Sequence, residues 1–261
     1  ARAALLDDVQ AAVPEPRLVD VFRLKYDYHN AKALVKGEAT GADVRRLLVS
    51  GGRYSCRQLL EGFQKDALSG VSARFQQAVA AARRILAGTR DPQQCDILLD
   101  KACYEEMARL AEDCATPFLK GYVRLCADTA NLRTAVRVAR MGKGSDFLLH
   151  VLLPGGSVAE SALAAARPED LGSLFQAGAL EKAARLGARA AQPDGGPLLA
   201  FERECDNALT RYVAAAKRVP FGEEPVIAFL HAKDAERTIL SGRRAGLDEA
   251  MIWERLRECY V

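Results

Sequence analysis

Gly142-Lys143-Gly144-Ser145 carries the residue types that bind phosphate: glycines that let backbone N–H groups approach, a lysine and a hydroxyl. Phosphate binding of this kind needs the spacing G-x-x-x-x-G-K-[ST] between a strand and a helix. Here the upstream glycine is missing and a helical pattern precedes. The segment reads as a helix terminus, and G-x-G-x-x-G occurs nowhere in the chain. His29, His150 and His231 fall in neither Glu-x-x-His nor His-x-x-x-His, the spacings that bring metal ligands together one turn apart. Each reads as a surface histidine or one satisfied in the interior. Glu105-Glu106 and Glu112-Asp113 read as solvated helix faces rather than acid-base pairs. No G-x-S-x-G is present and no cysteine has a catalytic context. The expectation is a chain with no catalytic residue, no cofactor and no metal.

A binding feature remains after that screen. Arg133, Arg137, Arg140 and Lys143 recur in steps of four and three, with no acid between Asn131 and Lys143, so they form a basic ridge on one helix face. The ridge is either a solvated face whose cations suit the negative end of a helix, or a docking site for an acidic protein partner.

The elements that would carry these residues are helices. Alanine, leucine and arginine dominate the 261 residues while aromatic residues make up 7%, a composition that favours helix over sheet. The net charge of +3, set against 37 basic and 34 acidic residues, leaves no global field of the kind that marks a nucleic-acid protein. The seven cysteines, Cys56, Cys95, Cys103, Cys114, Cys126, Cys205 and Cys259, are odd in number and form no Cys-x-x-Cys, which favours reduced thiols over a disulfide framework. No apolar run reaches the ~18 residues of a membrane span, so a soluble protein is expected. Asp91-Pro92, Thr116-Pro117, and Ser157 with Glu160 mark helix starts, as do the acids after Pro168. Gly187 to Pro197 and Pro220-Phe221-Gly222 mark loops.

Two helices repeat each other. From Pro117 to about Met141 the residues Phe118, Tyr122, Leu125, Thr129, Leu132, Val136 and Ala139 form one core-facing stripe, and Val21, Leu24, Tyr28, Ala31 and Val35 form another. At an offset of 101 residues, Arg23 pairs with Arg124, Asp27 with Asp128, Asn30 with Asn131 and Lys32 with Arg133. The Asp and Asn, three apart, face the same way. Gly-x-Asp turns follow at 41–43, 144–146 and 246–248, each expected to end one helix and cap the next. The third keeps the turn but not the Asp and Asn, with Ala232 and Ala235 in the corresponding places. These observations predict a single all-α domain over residues 1–261, built of repeated modules with approximate threefold internal symmetry.

The segment from Lys25 to Gly37, with Asp27, His29, Asn30 and Lys32, resembles the corresponding helix of the C subunit family of V/A-type rotary ATPases, whose eukaryotic vacuolar relative is the d subunit. The stretch from His231 through Glu236-Arg237-Thr238-Ile239-Leu240-Ser241-Gly242 to Leu256-Arg257-Glu258-Cys259-Tyr260-Val261 is similar to that family's ending. The resemblance implies a pseudo-threefold helical funnel, a non-catalytic connector on the cytoplasmic face of the membrane. It would seat on the proteolipid ring and receive the foot of the central shaft, and would hold no nucleotide and carry no ion. Family members are usually longer, which places the missing length before Ala1. Two other readings compete: an unrelated helical-repeat adaptor that grips a protein partner in a groove, and an enzyme assembled from scattered carboxylates or His29 and His150.

Overall fold

A computed structural model of the chain describes residues 2–192, 194–244, 246, 248 and 257–258; for 237–244 it describes the backbone alone. The architecture is all-α, with no strand among the described residues. The chain divides into two compact units, Ala1–Ala115 and Thr116–Val261.

The first unit is built round one long helix. Five helices form it: α1 (Arg2–Ala12), α2 (Arg17–Thr40), α3 (Cys56–Gln64), α4 (Ala73–Thr89) and α5 (Pro92–Asp113). α2 is buried on several faces at once, because Leu18, Val21, Leu24, Tyr28, Ala31 and Val35 are joined by Val19, Phe22 and Leu34. Of these, Leu24, Tyr28, Ala31, Leu34 and Val35 pack with Leu59 and Phe63 of α3, Phe75, Val79 and Leu86 of α4, and Leu99 and Cys103 of α5. At ~25 cal/mol per Å² of apolar surface removed from water, such a cluster is the main source of stability in a unit of this size. Asp91 caps α5 by accepting from the Gln93 N–H at 2.8 Å, with Pro92 at the first helical position as its sequence predicts. α1 lies on α2 through buried Leu6, the Arg2 guanidinium over the Tyr26 ring and the Arg23–Asp7 ion pair.

The second unit repeats the plan with α6 (Pro117–Arg140) at its centre. Round it lie α7 (Ser145–Val151), α8 (Glu160–Ala165), α9 (Leu171–Leu174), α10 (Glu181–Ala190), α11 (Leu199–Ala214) and α12 (Glu224–Arg244). Leu125, Leu132 and Val136 of the expected stripe meet Leu148, Leu152, Leu163, Leu180 and Phe201 in one core. α6 with α10 and α11 corresponds to α2 with α4 and α5.

Several local expectations change. Gly187 lies inside α10, not in a loop, because Phe201 and Val136 press so closely that a Cβ there would stand 2.9 Å from each. Ser157 does not cap a helix: α8 begins after Ala159 without a side-chain cap, and Ser157 is engaged elsewhere. The left-handed residue after α6 is Gly142 (φ 64), matching Gly41 (φ 69) after α2, whereas Gly144 is extended. The two turns therefore superpose at the same offset of 101 as their helices. Asp43 does support the following 3₁₀ turn, Arg45–Leu47, through the Arg45 N–H at 3.1 Å. Asp146 lies within the first turn of α7 and caps nothing. Of the third turn, Gly246 is left-handed (φ 78), and Leu247 lies outside the described residues, as does most of 249–261.

Candidate functional site

What the repeated Asp and Asn do is visible in the loops beyond each long helix. Asn30 holds Val49 at two points: its Nδ2 donates to the Val49 carbonyl at 2.9 Å and its Oδ1 accepts from the Val49 N–H at 2.8 Å. Asn131 does the same to Leu153, at 2.8 and 2.7 Å. A primary amide matches a peptide group donor for acceptor, which is why Asn is the residue here and neither Asp nor Leu would serve.

One helical turn earlier, the aspartates take hold. Asp27 Oδ1 accepts from the Tyr54 N–H at 3.3 Å and Oδ2 from Arg53 Nε at 2.8 Å. Asp128 Oδ1 accepts from the Ser157 N–H at 2.8 Å and the Val158 N–H at 3.4 Å, while the Ser157 hydroxyl donates to Oδ2 at 2.5 Å. Between the two grips lie Gly51-Gly52 and Gly155-Gly156. The first glycine of each pair has positive φ, 115 and 91, which an L side chain rarely adopts. The second brushes the carboxylate: a Cβ would stand 2.2 Å from Asp27 Oδ1 at Gly52 and 2.4 Å from Asp128 Oδ1 at Gly156. Each unit thus has a clamp made of Asp, Asn and a glycine pair.

The surroundings of the two clamps differ. In the first, Arg53 also donates to Glu106 Oε1 at 2.9 Å, and Glu106 collects the Tyr28 hydroxyl at 2.8 Å and the Ser72 hydroxyl at 2.8 Å. Glu106 is therefore buried, not on the solvated face expected of it, because three donors replace its water. Burial works against its charge, but the hydrogen bonds from Arg53, Tyr28 and Ser72 outweigh it and hold the carboxyl below its ordinary range. Burial pushes Asp27 the other way, with Arg53 opposing. In the second clamp Ser157 stands where Arg53 does. α11 carries Tyr212 six residues beyond Asp206, as Glu106 is six beyond Asp100, and the Tyr212 hydroxyl donates to the Phe118 carbonyl. Cation and anion are lost together, so neither is left buried and alone.

The basic positions brace the long helices. Lys32 reaches Asp100 at 2.6 Å and Lys36 reaches Asp96 at 3.0 Å, the opposed order of an antiparallel pair. Arg133 with Asp206 at 2.5 Å and Arg137 with Glu202 at 2.6 Å repeat that ladder between α6 and α11. Arg140 donates to the Ala190 and Gly196 carbonyls, and Lys143 lies over the Phe147 ring. All four ridge cations thus have partners within their own unit, and Arg137 keeps 57% of its side chain exposed. Arg23 is buried and gives an N–H to the Gly52 carbonyl, whereas its counterpart Arg124 is exposed.

The histidines stay apart. His29 Nε2 lies 3.1 Å from the Leu47 carbonyl, His231 sits between the Tyr122 and Thr210 hydroxyls, and His150 is exposed. Among the described residues no group of His, Cys, Asp and Glu could hold a metal, and no helix is long and apolar enough to cross a membrane. No disulfide joins the described cysteines, and burial raises the Cys103 and Cys205 thiols to about 12, which leaves them unreactive.

The repeat at 101 brings out the Asp and Asn but misses the glycine pairs they grip. Val49 to Leu153 and Gly52 to Gly156 are 104 apart, three more than the helices, so a search at 101 passes over them. The extra residues accommodate α7, seven residues long, in place of the three-residue 3₁₀ turn.

Comparison with known proteins agrees with this architecture of helical modules. Residues 3–255 match the family model described as ATP synthase (C/AC39) subunit. The C subunit of the V-type sodium ATPase of Enterococcus hirae is 24% identical over 263 residues, covering 99% of this chain and 80% of that protein. The C subunit of the V-type ATP synthase of Thermus thermophilus is 28% identical over 272 residues, covering 98% and 81%.

Proposed function

Since the chain belongs to the ATP synthase (C/AC39) subunit family, we propose that it is the central-stalk connector of a V/A-type rotary ATPase, joining the shaft to the membrane proteolipid ring. The observation that carries this reading is the family match along nearly the whole chain. The subunit is structural rather than catalytic. Its work in this reading is to pass torque between ATP chemistry and ion movement, as a peripheral subunit on the cytoplasmic side. The geometry supports a mechanical part, because each unit has its own core, its own braced helix pair and its own clamp. A pseudo-threefold funnel, its third module marked by the Gly-x-Asp turn at 246–248, belongs to the same proposal.

The partners are the shaft subunits and the ring. Arg137 and Lys143 are the ridge cations we assign to an acidic partner, since Arg133 is tied to Asp206 and Arg140 to the Ala190 and Gly196 carbonyls. Co-purification of the full chain with shaft and ring subunits is the expected result. Absence of both interactions overturns the reading. Charge reversal at Arg137 is expected to weaken assembly while leaving the helical content of the chain unchanged, and unaltered assembly removes the ridge from the interface.

A further inference from the structure

We infer that Asp27 with Asn30, and Asp128 with Asn131, are positioning residues that make each tip loop and its long helix one mechanical body, so that load placed on a tip passes into the helix without slack. The inference rests on the connector reading above and goes beyond it by naming the joints.

Four observations carry it. First, both asparagines grip backbone at two points, which fixes orientation as well as distance. Second, the gripped segments contain Gly51-Gly52 and Gly155-Gly156, which have no side chains through which packing could hold them. The aspartates hold these segments from their far side, at residues 53–54 and 157–158.

Third, the two units share Asp, Asn and the glycine pair while the neighbours change, from Arg53 with Glu106 in the first to Ser157 in the second. What persists between two copies inside one chain is the grip and not its chemical surroundings. Apolar packing of similar volume would serve stability as well as buried polar groups do. A polar grip that sets one geometry, present twice, fits a demand for position.

Fourth, each held segment follows an exposed apolar side chain. Leu47, at 59% exposure, and Leu149, at 45%, stand just before the gripped Val49 and Leu153, and Met141, at 57%, lies at the end of α6. These are three of the five large hydrophobic side chains exposed among the described residues. The clamps therefore fix the backbone that directly follows Leu47 and Leu149.

The test uses the complete rotary complex in sealed vesicles, reading ATP hydrolysed and ions moved. With Asn30→Ala and Asn131→Ala together, the complex is expected to assemble and hydrolyse ATP while ions moved per ATP fall by at least roughly twofold, the sign of a loosened coupling element. Asn131→Asp, which keeps the acceptor for the Leu153 N–H but loses the donor, is expected to fall between. A coupling ratio equal to wild type in a folded, assembled double variant overturns the inference. Should the double variant fail to fold, Asn131→Asp, which removes one half of a backbone grip, carries the same measurement, and an unchanged ratio there overturns the inference equally. Failure of the wild-type chain to join the complex is a different outcome: it overturns the connector reading, and the inference falls with it.

Discussion

Asp27 and Glu106 sit in one buried network with a single arginine between them, and their different partners decide how each responds to pH. Glu106 has the depressed pKa. A carboxyl held down in the fold contributes stability above its unfolded value and loses it as pH falls through the folded one. The loss is expected below about pH 4.5, the ordinary value for a glutamate. Asp27 has the opposite sign: its protonation on acidification relieves a burial penalty and partly offsets the loss. Glu106→Gln is therefore expected to lower stability at neutral pH by about 1–3 kcal/mol, since it weakens the bonds from Arg53, Tyr28 and Ser72. It should also flatten the acid limb; urea titrations between pH 3 and 7 measure both effects, and an unchanged acid limb contradicts the assignment. Steric contact gives a second residue-scale expectation. Gly52→Ala and Gly156→Ala should each cost about 1–3 kcal/mol, because the new methyl meets a carboxylate that the helix prevents from retreating. Thermal or urea unfolding checks both, and a neutral result at either position would mean that the clamp gives way.

At the scale of elements the ladders between α2 and α5 and between α6 and α11 differ in strength. Lys36 and Asp96 are both partly in water, so Lys36→Ala is expected to change stability by less than about 0.5 kcal/mol. Arg133 is enclosed more fully and serves both Asp206 and the Glu202 carbonyl, so Arg133→Ala is expected to cost more, about 1–2 kcal/mol. Equal effects in chemical denaturation would show that burial does not separate the rungs. The long helices are legible in the sequence because their apolar spacing exceeds what noise produces, and α6 ends within a residue of its expected limit. Asp27, Asn30, Asp128 and Asn131 are legible as a pattern but not as a clamp. Their partners lie about 20 to 30 residues away, beyond loops of unequal length, and hydrogen bonds across such gaps leave no periodic trace. Ser157 reads as a cap because a cap and a clamp use the same hydroxyl; the nearby aspartate decides between them. Glu106 reads as solvated because it stands in an acid pair with Glu105, and only the fold brings Arg53, Tyr28 and Ser72 to it.

For the whole molecule, membership of the family sets aside the unrelated adaptor, and the fold offers a physical basis for the connector role proposed above. Each unit buries its own apolar cluster: Leu24, Leu59, Phe75 and Leu99 in the first, Leu132, Leu152, Leu163 and Phe201 in the second. A body that transmits load must resist deformation at each stage, and close-packed cores do so because they have low compressibility. If each core suffices for its unit, residues 1–115 expressed alone should be helical and melt cooperatively, since a chain of that length is within the range that folds independently. Gly52→Ala should lower the midpoint of that fragment by about as much free energy as it removes from the full chain. In the full chain Gly156→Ala should act additively with it, within about 0.5 kcal/mol, as sites with no shared partner do. Circular dichroism melts of fragment and chain decide the matter. A fragment that is helical but melts without cooperativity would mean that the first core depends on the second unit, and the source of stiffness would then have to be sought in the assembled chain rather than in each unit.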